Sequence, residues 1–222
     1  MNIIEANNIK KSFGKKTLAL RGATLVVKPG EVVAVMGPSG SGKSTLLHCM
    51  AGILKPDSGE VIFEEESIGK ASDKKRNRLR REKFGFVFQF SQLVPELTAL
   101  DNVALPLLIN GVKKSEAYKR ALEWLDKVGV KSVAKQIPGE LSGGQAQRVA
   151  VARAMVGAPK ILFADEPTGS LDSLNSEKVM DLFIKTVKEV GTTVIMVTHE
   201  PTIAAYADRS VIVRDGVVME GK

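Results

Sequence analysis

The stretch Gly37-Pro38-Ser39-Gly40-Ser41-Gly42-Lys43-Ser44-Thr45 constrains this chain more than any other. It follows an apolar run, Glu31 to Met36, and precedes a helical run from Leu46 to about Gly52. The pattern G-x-x-x-x-G-K-[ST] thus stands in the strand, loop, helix context that gives it meaning. Its glycines let the backbone curl until N–H groups point inward at phosphate oxygens. The following helix presents its positive end, worth about half a charge, at the same point. Lys43 adds a full charge for β and γ phosphates, and Ser44 offers a hydroxyl to Mg²⁺. A nucleoside triphosphate is implied. A merely flexible Gly/Ser turn would have no use for Lys43 and Ser44 in the two chemically demanding positions. His48 and Cys49, on the helix behind the loop, read as core or surface residues.

Around this loop, short apolar runs that end at glycine or acidic residues alternate with helical patterns, the signature of an α/β domain with a parallel sheet. Glu31 to Met36, Phe84 to Phe88, Lys160 to Ala164 and Thr192 to Thr198 are apolar enough for buried central strands. Val211 to Val213 and Val217 to Met219 flank Asp215-Gly216, a hairpin turn. Ile3 to Ile9 and Leu18 to Val27 read as antiparallel strands at the edge of the core. Between Leu97 and Val156 the pattern becomes helical; Ala117, Ala121, Leu122, Leu125 and Val128 share one face, with Ser115 placed to cap the start and Gly129 the end. At 44% hydrophobic and 26% charged, 222 residues suffice for a large core, which excludes disorder, collagen and coiled coil. The longest nearly uninterrupted apolar stretch, Val103 to Ile109, contains Pro106 and falls far short of the ~18 residues needed to span a bilayer. The opening residues show no apolar core behind a basic end, so no secretory signal is expected, and Cys49 as sole cysteine rules out an intrachain disulfide. A cytoplasmic setting follows as the expectation.

The run Ile161-Leu162-Phe163-Ala164 ends in Asp165-Glu166, with Pro167 stopping the strand. Ligands of open α/β sheets gather at the carboxyl ends of strands, so both carboxylates are expected to face bound phosphates. Asp165 suits holding Mg²⁺ with Ser44, and Glu166 suits positioning or deprotonating the attacking water. His199 follows another apolar strand and is expected at the same edge, within reach of a γ-phosphate. Gln89 ends Phe84 to Phe88, where its amide could touch Mg²⁺ or that water.

Leu141-Ser142-Gly143-Gly144-Gln145 opens a helix carrying Arg148, Val149, Val151 and Ala152. Such a helix N-terminus is also an anion site, yet one triphosphate already has its cradle. A second subunit's nucleotide would resolve the surplus. Together and in this order, the cradle, Gln89, Leu141 to Gln145, Ile161 to Glu166, Ser170-Leu171-Asp172 and His199 resemble the ATP-binding cassette (ABC) family over essentially the whole chain. The resemblance implies a P-loop (RecA-like) parallel-sheet core with an N-terminal antiparallel β edge and an inserted helical subdomain. It implies one nucleotide-binding domain over 1–222, with the core at about 1–90 and 157–222 and the helical subdomain at about 91–156. It implies ATP with Mg²⁺, the metal held by Ser44, Gln89 and Asp165, and catalysis by Glu166, His199 and Gln89. Residues 37–45 would hold the phosphates, with Phe13 stacked on adenine where the family more often has tyrosine. Ser142, Gly144 and Gln145 would contact the γ-phosphate held by the other subunit of a head-to-tail homodimer, and Asp172 would lie in the segment communicating between the two sites. Ala146 replaces a polar residue common after the signature glutamine.

Phe86-Val87-Phe88-Gln89, Leu93 to Leu97, Asp101 to Leu108 and Ala164 to Asp172 look most like the branch holding macrolide-export, lipoprotein-release and antimicrobial-peptide-resistance ATPases, haem exporters and the cell-division relative. Members of that branch drive a separate four-helix membrane permease. The resemblance therefore implies two permease copies, peripheral contact with the cytoplasmic face of the membrane through them, and export of a hydrophobic or amphipathic compound such as haem, a drug, an antimicrobial peptide or a lipoprotein. The alternative is a non-transporting ABC ATPase that regulates cell division or serves a soluble assembly such as iron–sulfur biogenesis. The net charge of +7 is concentrated between Lys70 and Lys83, where eight basic residues face Asp73 and Glu82 for a net of +6. With aromatics at only 5% and the excess basic residues bunched in one segment rather than spread along the chain, nucleic acid is not an expected partner. The segment reads as a solvated basic helix, or as one that meets lipid headgroups or an acidic partner face.

Overall fold

The structure, a computed structural model, describes residues 1–14 and 17–220. Residues 15, 16, 221 and 222 of the expected domain lie outside the described residues. The chain divides into two units, Met1–Arg80 with Gly191–Lys222, and Arg81–Val190.

In the first unit, strands β1 (Ile4–Phe13) and β2 (Thr17–Val27) pair antiparallel, and β1 pairs on its other side with β4 (Ser58–Phe63), which carries the short β5 (Glu66–Ser67). Burial along β1 alternates at Ile4 and Ala6 and resumes at Ile9 after an irregularity at left-handed Asn8 shifts the register, which returns the apolar side chain to the packed face of the antiparallel sheet. The second sheet of this unit is built on β3 (Val32–Met36), parallel to both β8 (Thr193–Val197) and β9 (Arg209–Arg214), with β10 (Val217–Glu220) returning antiparallel. All of β8 and the first four residues of β3 are buried, which explains their unbroken apolar composition. Helix α1 (Lys43–Met50) leaves the end of β3 and buries Leu46, Leu47, Cys49 and Met50. Helix α2 (Asp73–Glu82) buries none of its residues. Two of its arginines are nonetheless used inside the fold: Arg76 donates to the Ala71 carbonyl at 2.9 Å and Arg80 to the Gly52 carbonyl at 2.6 Å. Those two cations are tethers, which narrows any outward role of the basic segment to the rest of it.

In the second unit, β6 (Phe84–Phe88) runs parallel to β7 (Ile161–Asp165) in a register that sets Phe88 beside Asp165. The Phe84 and Phe163 rings meet edge to face at 5.2 Å and those of Phe86 and Phe163 stack at 5.7 Å; each such pair is worth about 0.5–1.5 kcal/mol beyond its buried area. Between the two strands come helices α3 (Ala99–Ile109), α4 (Lys114–Lys127) and α5 (Gly143–Met155), and α6 (Ser173–Val190) follows β7. The α/β class, the parallel-sheet core and the antiparallel N-terminal sheet are as the sequence implies, and the helices lie where the insertion was expected. Helix α4 does not start at a Ser115 cap. Its N-cap is Lys113 without a side-chain hydrogen bond, because the tight turn at Gly111 and Val112, whose N–H donates to Leu107, feeds the chain into the helix earlier. Its end is as expected, with Gly129 left-handed at φ +68° just past Val128. Strands β4 and β5 and helix α6 are additions: the strands are short and half polar, whereas α6 buries Val179, Met180, Phe183 and Val187 along one face, a helical period the sequence reading passed over. Among the described residues no helix is long and apolar enough to cross a membrane.

Candidate functional site

Two groups of residues chosen from the sequence are each assembled within one unit. In the first, the chain leaves β3 at Met36 and turns through residues 37–42 into α1, which starts at Lys43 rather than Leu46 and so carries Lys43, Ser44 and Thr45 in its first turn. Gly37 has φ +142°, and a Cβ there would collide with the Val213 carbonyl of β9, so the loop can lie this close to the sheet only as glycine. Ser41 accepts at its carbonyl from the Gly216 N–H at 3.0 Å, which ties the loop to the β9–β10 hairpin. Gly216 escaped the sequence reading as part of the loop's support, since an Asp-Gly pair signals only a turn.

Three features suit this loop to an anion. Lys43, only 7% exposed, folds its Nζ back to donate to the Gly37 and Pro38 carbonyls at 2.9 Å each, holding an ammonium over the loop. Helix α1 has no side-chain cap and no acidic residue in its first turn, so nothing there offsets its positive end. The Ser41 Oγ is buried without a hydrogen-bond partner, an arrangement native proteins seldom keep unless a ligand or function requires it. Pro38, Ser39 and Gly40 are exposed at the rim. Register with β8 sets Val35 beside Val197, so the exposed His199 leaves its strand level with Gly37. Phe13, 46% exposed, ends β1. Its setting is braced by Asp57, which accepts from Lys11 Nζ at 2.8 Å and from the Ser12 N–H at 2.6 Å, while Lys11 Nζ lies 5.9 Å from the Phe13 ring centre. The Lys11 hydrogen bond, then that of Ser12, holds the Asp57 carboxyl below its usual range. Cys49 is buried, and burial pushes its thiol up to about 11, so it is a packing residue and no nucleophile.

In the second unit, the register of β6 and β7 brings Gln89 and Glu166, the residues after Phe88 and Asp165, to adjacent strand ends. Glu166 has φ +52°, a left-handed conformation rare for glutamate and one that clusters at functional sites. Both side chains end against one glycine: a Cβ on Gly169 would stand 3.0 Å from Gln89 Nε2 and 3.3 Å from Glu166 Oε2. The Ser170 hydroxyl donates to the Gln89 carbonyl at 2.6 Å. At the start of α5, Ser142 Oγ accepts from the Gln145 N–H at 3.3 Å and Gln145 Oε1 accepts from the Ser142 N–H at 2.9 Å, a reciprocal cap. Because glutamine closes this cap where glutamate often does, the helix end keeps its positive character, and Ser142 and Gly143 are exposed. Asp172 precedes α6 and accepts from the Asn175 N–H at 3.0 Å and its Nδ2 at 2.6 Å, interactions that hold the carboxyl below its usual range. Asn175, which sequence reasoning missed, also lies against buried Gly144, its Oδ1 3.4 Å from where a Cβ would be.

Residues 20–169 match the family described as ABC transporter. The uncharacterised ABC transporter ATP-binding protein YvrO of Bacillus subtilis is 48% identical over 217 residues, covering 96% of this chain and 94% of that protein. The lipoprotein-releasing system ATP-binding protein LolD of Aquifex aeolicus is 46% identical over 217 residues, covering 98% of this chain and 96% of that protein. Among solved structures, a dimeric post-hydrolysis state of an ATP-binding cassette bound to ADP and Pi superposes with a TM-score of 0.90 at 41% identity, covering 99% of this chain and 98% of that one.

Proposed function

The chain belongs to the ABC transporter family and is an ATPase of that family; from this premise we propose that two copies close head to tail on two ATP molecules and drive a separate membrane permease. The observation that carries the reading is a surplus: one chain presents two helix N-termini suited to anions, α1 behind the Lys43 loop and α5 behind the exposed Ser142. One nucleotide in the loop of residues 37–45 leaves the second terminus for the nucleotide of a partner copy. A dimeric cassette among the similar structures supports this.

In each pocket, Lys43 and the N–H groups of residues 37–45 hold the phosphates, and Phe13 stacks on adenine. The partner copy's signature residues, equivalent to Ser142, Gly144 and Gln145, close over the γ-phosphate, and Asp172 belongs to the segment through which the pockets communicate. Ser44, Gln89 and Asp165 would hold Mg²⁺: a hydroxyl, an amide oxygen and a carboxylate are the hard oxygen donors this ion takes. When bound, the ion offsets charge on the β- and γ-phosphates. Glu166 accepts a proton from the water whose oxygen attacks the γ-phosphorus as the bond to the bridging oxygen breaks, Gln89 orients that water, and His199 donates to a γ-phosphate oxygen. The chain is read as one domain, its helical subdomain at about 91–156 receiving the permease. Two permease copies, peripheral attachment at the cytoplasmic face and export of a hydrophobic or amphipathic cargo complete the proposal. The lipoprotein-releasing relatives support the branch.

Sedimentation tests the shared pocket. In the Glu166→Gln background ATP should drive dimerisation, and adding Ser142→Arg should weaken it at least about tenfold, since a bulky side chain then fills the place of the partner's phosphate. An equally tight ATP-driven dimer in the double variant would sink the proposal. Phe13→Ala should weaken ATP binding about tenfold through the lost stacking area, with Phe13→Tyr near wild type, as fluorescent-nucleotide titration would read. Recovery of a multi-span permease with the native protein is the expected result of co-purification, whereas a soluble partner alone would argue against transport.

A further inference from the structure

We propose that Gln147 is a positioning residue for hydrolysis, binding the main chain beside Gln89 and Glu166 to the helix that opens at Ser142. The inference rests on the catalytic reading of that pair given above. Gln147 is 1% exposed and shares the buried face of α5 with Ala150, Val151 and Ala154. An apolar residue of the same length would pack there equally well, so a glutamine is explained by what its amide bonds. Its Nε2 donates to the Phe88 carbonyl at 2.9 Å and to the Pro167 carbonyl at 2.5 Å. Phe88 precedes Gln89 and Pro167 follows Glu166. Both protons of one buried amide thus go to carbonyls bracketing the catalytic pair.

The same helix grips the segment a second time. Arg153 donates from Nη1 to the Gln92 carbonyl and from Nη2 to the Ser91 carbonyl, both at 2.7 Å, a planar fork on two successive carbonyls. Ser91 and Gln92 are left-handed, with φ +53° and +46°, so the arginine fastens a turn that would otherwise relax. Counting the Ser170 hydroxyl on Gln89, the carbonyls of Phe88, Gln89, Ser91 and Gln92 all accept from side chains. At Gly85 the β6 backbone also comes close to that of α5, for a Cβ there would stand 2.6 Å from the Ala154 carbonyl. Residues 88–92, the turn after Glu166 and α5 therefore form one piece. A displacement of α5 by a nucleotide at Ser142 carries Gln89 and Glu166 with it, which makes hydrolysis in one pocket responsive to closure on the other. The sequence held one clue: a glutamine on the apolar face of a helix.

Gln147→Met in the full chain tests this, because methionine keeps the length and removes both donors. Steady-state hydrolysis should show kcat lowered at least about tenfold with KM for ATP within about twofold, normalised to chains that bind a fluorescent ATP analogue one to one. A purely structural role would lower the binding-competent fraction and the thermal midpoint and leave kcat per competent chain alone. A kcat within about twofold of wild type, with Glu166→Gln inactive alongside, would overturn the inference and leave the catalytic reading standing. Wild-type turnover by Glu166→Gln would overturn both. The double variant should fall no further than Glu166→Gln, since a residue acting through Glu166 has nothing left to position; multiplied losses would count against it. Should Gln147→Met bind no nucleotide, Ser170→Ala at an exposed position serves instead, with kcat expected about threefold down at constant KM and an unchanged kcat overturning the proposal.

Discussion

Glu166→Gln should lower ATP turnover by about a hundredfold or more while leaving ATP bound and a dimer accumulating. Glutamine preserves the shape of the side chain and removes the proton acceptor, and a positioned general base contributes about 10²–10⁴ in rate. The backbone gives no reason for a structural collapse. Residue 166 already adopts φ +52°, a conformation equally costly for both side chains, and the turn is closed by the Gly169 N–H on the Glu166 carbonyl at 3.1 Å. Gln89 and Glu166 sit against the same glycine, so the substituted amide remains beside Gln89. Phosphate release measures the first effect, and sedimentation with and without ATP measures the second. Turnover at the wild-type rate would remove Glu166 from the chemistry.

Lys43→Ala should weaken ATP binding roughly ten- to a hundredfold, the equivalent of about 1.5–3 kcal/mol for a lost charge-assisted hydrogen bond. Two losses coincide. The ammonium proposed to meet the phosphates disappears, and so do its donations to the Gly37 and Pro38 carbonyls, which shape the loop. Lys43→Arg should not restore affinity, since a planar fork does not replace a compact ammonium on two carbonyls of one turn. Titration with a fluorescent ATP analogue reads both variants. Unchanged affinity in Lys43→Ala would contradict the reading of residues 37–45 as the phosphate cradle.

Much of this architecture is written locally along the chain. Residues 37–45 announce a phosphate loop because each demanding position carries a residue chosen for backbone curl, charge or hydroxyl. The strands Val32–Met36 and Thr193–Val197 announce burial because a parallel strand covered on both faces needs apolar side chains throughout. The helix start at Ser142 and the helix end at Gly129 were legible because caps depend on neighbours three or four residues away, although the return bond from Gln145 that closes the first of them was not read. Helix α4 shows the limit even there: the turn at Gly111 and Val112, just upstream of the supposed Ser115 cap, displaced its start, and the apolar face was indifferent to the shift.

Contacts between segments distant along the chain left no such trace. That Gln89 and Glu166 share Gly169 follows from the pairing of β6 with β7, a register held by phenylalanine rings far apart in sequence. That Arg80 is a tether, and that Gln147 and Arg153 clasp the Gln89 segment, depends on which carbonyls the fold brings within 3 Å of them. A donor's type is encoded by its own codon, but its acceptor is a main-chain oxygen that every residue possesses and no residue type reveals. Propensity, periodicity and capping act over a few residues, so order along the chain sufficed to choose the class of fold and the kind of ligand. Which side chains hold Gln89 and Glu166 in place became decidable only once packing had selected their neighbours.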